Sequence, residues 1–176
     1  RGLSRFRTEQ PPYSVLDRGI ERDMLPTCQR YGMGVMVWSP LSKGMLTGKY
    51  RKGQPTPDTL RARHFARQFA DTRSLEAVEE LILLAGEAGL PLTHMALAFV
   101  MAHPAVTSAI LGPRTMQQLD DLLAGADVRL GDEILDRIDR IVPPGTDVGL
   151  NEANYMPPAL VMPELRRRDM GDRAAA

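Results

Sequence analysis

Cysteine is almost missing from this chain: Cys28 is the only one in 176 residues. A single thiol excludes an internal disulfide framework and a cysteine-based zinc site. Net charge is missing as well, because 22 Lys+Arg balance 22 Asp+Glu. A general binder of nucleic acid should be basic, so that class is set aside, although a local basic pocket is not. No apolar run reaches the ~18 residues that a membrane helix needs. No signal peptide is visible. Aromatic residues make up only 5% of the chain, and tryptophan occurs once, as Trp38. Lysine is scarce too. Lys43, Lys49 and Lys52 stand against 19 arginines, and all of them fall in one short stretch.

What remains is 43% hydrophobic and 25% charged, close to globular averages, which argues against disorder. The length fits one domain of ordinary size, and the expectation is a soluble cytoplasmic protein. The chain opens on Arg1 rather than Met. Either the start has been removed or this is a piece of something longer.

The signals run strand, helix, strand, helix, strand, helix. Arg5 to Gln10 reads as extended and Pro11-Pro12 ends it. A helix is predicted from about Ile20 to Tyr31, with Pro26 near its first turn and Gly32 as its stop. Gly34 to Trp38 is apolar without alternation, as expected of a strand buried on both faces. A polar loop is predicted from Ser42 to about Thr72. Ser74 is the expected cap of a helix to about Ala88, and Thr93 of a second to about Ala102. Thr107 to Leu111 reads as another buried strand, ended by Gly112-Pro113. Thr115 to Ala124 is predicted helical, with Thr115 and Gln118 fitting a capping box. Asp132 is the expected cap of a last helix that ends before Pro143. Short apolar strands alternating with helices imply a parallel α/β sheet. Only three strands are legible, whereas a parallel barrel needs eight and about 250 residues. A three-stranded parallel sheet has two open edges, a liability for a free-standing domain.

Two strand ends carry residues suited to binding. After Trp38 come Ser39, Pro40, Leu41, Ser42, Lys43 and Gly44, then Gly48, Lys49 and Tyr50. Glycine lets a ligand approach the backbone, and lysine offers a mobile positive charge to phosphate. The competing reading is a flexible basic loop. After the third strand come Gly112, Pro113 and Arg114, just before a helix N-terminus. Free N–H groups there suit an anion, and a guanidinium adds bidentate recognition. The competing readings are a helix cap for Gln118 and a surface charge for Arg114.

Taken together, these segments resemble the aldo-keto reductase family, nicotinamide-dependent (β/α)8-barrel oxidoreductases. The resemblance covers about Arg5 to Pro144. It rests on Glu9-Gln10-Pro11-Pro12-Tyr13-Ser14, on Trp38-Ser39-Pro40-Leu41 with Gly48-Lys49-Tyr50, and on Gly112-Pro113-Arg114 with Gln118-Leu119. Their order is similar to the sixth, seventh and eighth barrel strands, in the bacterial subgroup that also resembles potassium-channel β subunits. The resemblance therefore implies the C-terminal half of a barrel over 1–144, with a C-terminal loop and a flexible tail over 145–176.

It also implies a cofactor, NADP(H), and roles for particular residues. Gln10 would hydrogen-bond the nicotinamide carboxamide, and Trp38 would stack on the ring. Ser39, Pro40, Leu41, Ser42 and Gly44, with Lys49, would fold over the pyrophosphate. Arg114, beside Gly112, would meet the adenosine 2′-phosphate and favour NADP over NAD. Gln118 and Asp121 would contact adenine or phosphate. The family often has Asn after the acidic residue; Leu122 stands here instead. Arg61 and Arg63 are further arginines of the loop that no motif fixes.

The family reduces a carbonyl with a tyrosine acid, a lysine, an aspartate and a histidine from its first four strands. No stretch here matches those motifs, and no catalytic residue or metal ligand is assigned. The expected partners are a small-molecule carbonyl substrate and either the missing N-terminal half or another copy, with neither nucleic acid nor membrane. This chain alone is expected to lack appreciable reductase activity. The alternative is a non-catalytic NADP-binding, regulatory or interaction module. Tyr155 and Met156 are candidates to shape a substrate pocket. His64, His94 and His103 are expected at the surface or at helix ends, and Cys28, Met24, Met95 and Met101 in packing roles.

Overall fold

The computed structural model describes residues 4–148, residue 158 and residues 162–167. Its centre is a parallel sheet of three strands: β1 (Thr8–Glu9), β2 (Gly34–Val37) and β3 (Ser108–Ala109), with β2 in the middle. Thr8 pairs with Gly34 and Met36 with Ser108, and a further bridge joins Pro12 to Trp38. The sheet is not closed. Because the strands are parallel, their C-terminal ends share one edge, and the loops that leave them emerge together.

Helix α1 (Met24–Tyr31) leads from β1 to β2. Helices α2 (Leu60–His64), α3 (Ala66–Phe69), α4 (Thr72–Glu87) and α5 (Leu92–Ala102) lie between β2 and β3, and α6 (Met116–Ala124) and α7 (Asp132–Ile141) follow. One face of β2 is sealed: Val35 and Val37 are fully buried, in one core with Val78, Leu81, Met95 and Val100. Each such side chain contributes about 1.5–3 kcal/mol by leaving water. The other face of β2, carrying Gly34, Met36 and Trp38, is only half-buried. Burial on both faces was expected and is not observed.

Several boundaries differ from the sequence reading. The first helix is split into a 3-10 turn at Gly19–Glu21 and α1, which Asp23 caps by accepting from the Met24 N–H. Pro26 falls in the first turn of α1, and Gly32 closes it with a left-handed φ of 64°. The polar loop contains a kinked 3-10 turn, Ser42–Thr47, besides α2 and α3. Asp71, not Ser74, caps α4: its carboxylate accepts from the Ser74 N–H at 3.1 Å. Ser74 is buried and donates to the Val148 carbonyl. Helix α5 starts after Pro91 without a side-chain cap, and Gly131 rather than Asp132 precedes α7. The last strand is shorter than expected and half-buried, with Ile110 at 41% exposure.

Met95 and Cys28 are buried and Met24 packs against the core, but Met101 is exposed. Residues Gly145 to Val148 are bonded back onto the first loop. The Arg18 N–H donates to Thr146, and the Val148 N–H to Leu16. Tyr155 and Met156 lie outside the described residues. Among the described residues no single helix is long and apolar enough to cross a membrane.

Candidate functional site

The strand-end edge collects the residues singled out above. Alternation along residues 8–12 puts Gln10 on the face of Thr8 and Pro12, and Pro12 pairs with Trp38. The Trp38 N–H donates to Pro11 and its carbonyl accepts from Tyr13, so the ladder runs past the strands themselves. Gln10 is exposed and Trp38 half-buried, on the open face of the sheet. An amide that both donates and accepts thus shares a sheet face with a flat aromatic.

The chain then turns sharply. Among the described residues, the non-glycine residues with positive φ are Ser39 (57°), Ser42 (44°) and Lys43 (55°), and all belong to this turn. Gly44 follows at 104°. The Ser39 Oγ accepts from the Lys43 N–H at 3.1 Å. Pro40 and Gly44 are buried, and Leu41 is half-buried. Ser42 is buried as well, and its hydroxyl donates to the Asp17 carboxylate at 3.2 Å. That hydroxyl is therefore engaged inside the protein rather than offered to a ligand.

Beyond Gly44 the site is cationic. A Cβ on Gly44 would stand 3.7 Å from the Lys49 Cε and 3.7 Å from the Tyr50 ring. Lys49 is exposed, yet its ammonium is held below the usual lysine range, first by partial desolvation and then by the charges of Arg61 and Arg114. Cations from two other segments thus act on the Lys49 charge. Among the described residues, none of the three has a carboxylate ion-pair partner.

The structure also separates Arg61 from Arg63. Arg61, on α2, donates to the Lys43 carbonyl at 3.1 Å and joins the cluster. Arg63 is paired with Asp58 at 2.8 Å. The sequence offered only two arginines two positions apart in one polar loop. The fold that brings α2 over the loop distinguishes them. The Lys43 ammonium sits over the Phe65 ring, 4.3 Å from its centre, which fastens the two segments.

At the β3–α6 junction, Gly112 and Arg114 are exposed. The Thr115 Oγ1 accepts from the Gln118 N–H at 3.2 Å, as the capping box predicts. The Gln118 side chain returns to the Arg114 N–H at 2.9 Å rather than to that of Thr115, leaving its NH2 for another acceptor. Asp121 is exposed but not idle: His94 Nε2 lies 2.8 Å from its carbonyl and 3.3 Å from its carboxylate. His94, in the first turn of α5 as a helix-end residue, is half-buried against α6, and a Cβ on Gly125 would stand only 2.8 Å from its ring. Leu122 is buried, so it turns away from any ligand that Gln118 and Asp121 meet.

No described tyrosine is placed as a proton donor. The Tyr13 hydroxyl donates to Glu21 at 2.6 Å, and burial together with that carboxylate pushes its pKa far up. Tyr50 is buried and stacked on Phe69, its hydroxyl without a hydrogen-bond partner. Tyr31 is exposed under Arg5. Behind the open face lies a closed cluster. Buried Arg18 donates to Glu21 at 2.8 Å, to Asp139 at 2.7 Å and to the Val142 carbonyl at 2.6 Å, and its guanidinium lies 4.9 Å from the Phe99 ring centre. Burial works against the Arg18 charge, but the two carboxylates outweigh it and hold the pKa above its ordinary value. Half-buried His103 packs edge-on to Tyr13, and burial lowers its pKa.

An amide, a flat ring, a strained glycine turn and unneutralised cations at one sheet edge suit a phosphate-bearing dinucleotide. The family model described as Aldo/keto reductase family matches residues 2–143, and the chain belongs to that family. It is 37% identical over 136 residues to "Uncharacterized oxidoreductase YrpG" of Bacillus subtilis, covering 77% of this chain and 40% of that protein. It is 34% identical over 141 residues to "Probable voltage-gated potassium channel subunit beta" of Oryza sativa, covering 76% of this chain and 43% of that protein. To "Protein tas" of Escherichia coli it is also 34% identical, with 79% of this chain and 40% of that protein covered. The chain thus spans about two-fifths of the length of these relatives.

Proposed function

We propose that this chain is the cofactor-binding half of an NADP(H)-dependent reductase of aldehydes or ketones, built as the last strands of a (β/α)8 barrel. The observation that carries the reading is that Lys49, next to the tight Gly44 turn, feels the charges of Arg61 and Arg114, while none of the three has a carboxylate ion-pair partner among the described residues. Like charges held together raise the energy of the empty site, and a phosphate relieves it. In this reading Lys49 and Arg61 hold the pyrophosphate. Arg114 meets the 2′-phosphate, with Gln118 and Asp121 beside the adenine. Gln10 orients the carboxamide, and Trp38 covers one ring face. Bound nicotinamide supplies the hydride. The proton donor comes from outside the described residues, since Tyr13, Tyr31 and Tyr50 are each placed elsewhere. A positioned acid is worth about 10²–10⁴-fold, so the chain alone should not turn over a carbonyl.

The test is a fluorescence titration of Trp38 with NADPH and with NADH. Saturable quenching that prefers NADPH supports the reading. No quenching in a chain shown to be folded overturns it. A second reading, a non-catalytic interaction module, is favoured by the similarity to the rice channel subunit. NADPH-dependent turnover of 4-nitrobenzaldehyde, restored by adding a polypeptide with the first five barrel strands, would rule it out.

A further inference from the structure

We propose that Asp17 is a positioning residue for the cofactor loop, holding Ser39 to Gly44 in its strained shape through Ser42. The inference rests on the cofactor reading above and goes beyond it, because Asp17 is not among the expected cofactor contacts. Three observations converge. The first is where strain lies. Among the described residues, every non-glycine positive φ falls within Ser39 to Lys43. L-residues avoid that conformation, and such strain persists only where surrounding contacts over-determine it.

The second is what holds the turn. Asp17 is 94% removed from solvent, at 6% exposure, and a buried carboxylate requires hydrogen-bond donors. One oxygen, Oδ2, receives both the Ser14 hydroxyl at 2.7 Å and the Ser42 hydroxyl at 3.2 Å. Ser14 belongs to the loop that leaves the strand of Gln10, and Ser42 to the loop after Trp38. One anionic oxygen therefore links the two loops that carry the nicotinamide and pyrophosphate contacts.

The third is that Asp17 is itself fixed. Its N–H donates to the Ser14 hydroxyl oxygen at 3.1 Å, and its backbone bridges antiparallel to Asp147. The carboxylate is a rigid post, and Ser42 is the tether. Without the tether, Ser42 and Lys43 are free to return to ordinary φ. The Lys43 carbonyl, which Arg61 grips at 3.1 Å, then moves away from the cluster.

The test uses Asp17→Ala, Ser42→Ala and the double variant in the full chain. Two quantities are read: hydrogen exchange of residues 39–46 without ligand, and NADPH affinity by Trp38 quenching. Each single variant is expected to speed exchange in that segment and to weaken NADPH by about tenfold, with the double no worse than either single. A contribution to stability alone would lower the melting temperature but would not produce this non-additive loss of affinity. Unchanged exchange and affinity in folded Asp17→Ala, or fully additive losses, would overturn the proposal. If Asp17→Ala fails to fold, Ser42→Ala decides by the same readouts. If the unaltered chain does not bind NADPH, the cofactor reading fails instead, and exchange still reports whether Asp17 holds the loop.

Discussion

Two groups of charged side chains are built on opposite principles. Arg18 is buried and closed: Glu21, Asp139 and the Val142 carbonyl take its donors, and Gly145 in turn donates to Glu21. Lys49, Arg61 and Arg114 are exposed, and none has a carboxylate ion-pair partner among the described residues. The first arrangement bolts α7 and the segment after it to the loop that follows β1. The second leaves its charges without a carboxylate partner among the described residues. What differs between the two is whether the positive charge is answered.

The sharpest way to break this contrast is to remove a charge from each cluster. Arg18→Met leaves the Glu21 and Asp139 carboxylates without their cation, and should cost about 3–5 kcal/mol in denaturant unfolding. A loss below about 1 kcal/mol would mean the bolt is not one. Lys49→Met should do the reverse to the empty chain. It should leave the melting temperature unchanged or raised, while costing about 1.5–3 kcal/mol of NADPH affinity, the worth of a charge-assisted hydrogen bond.

Acid sharpens the contrast further. Glu21 lies below the usual carboxylate range because Arg18, Tyr13 and the Gly145 N–H outweigh the cost of burial. Its contribution is present above the unfolded value and lost as pH falls through the folded one. His103 is also lowered, chiefly by burial, so its contribution too is complete above the ordinary histidine value and lost on acidification. The melting temperature should therefore fall between about pH 7 and pH 5, and His103→Asn should flatten that part of the curve. The smallest expected effect is at Tyr50, whose buried hydroxyl has no partner. Tyr50→Phe should stabilise the chain by up to about 1 kcal/mol in thermal unfolding.

The legible parts of the molecule are those set by local chemistry. Gly32 stops α1, and Thr115 caps α6, because each acts within a few residues of itself. The caps of α4 and α5 were not legible. Asp71 and Ser74 both suit a cap, and only packing buries Ser74 against Val148 and leaves the N–H groups to Asp71. The apolar run at Gly34 to Trp38 reads as buried on both sides, since hydropathy marks a strand but not how many layers cover it. The family motifs brought Gln10, Trp38, Lys49 and Arg114 to the strand-end edge. Arg61 and Asp17 needed the fold, because each acts across a loop closure of many residues.

On the proposed function, Lys49, Arg61 and Arg114 form the phosphate site of a dinucleotide. The most direct measurement is calorimetric titration with 2′-phospho-ADP-ribose, which carries the phosphates without the nicotinamide, at low and high salt. Saturable binding is expected that weakens with salt, exceeds that of ADP-ribose, and disappears in the Lys49→Met, Arg61→Met, Arg114→Met triple variant. No binding by the folded chain, or undiminished binding by the folded triple variant, would contradict it.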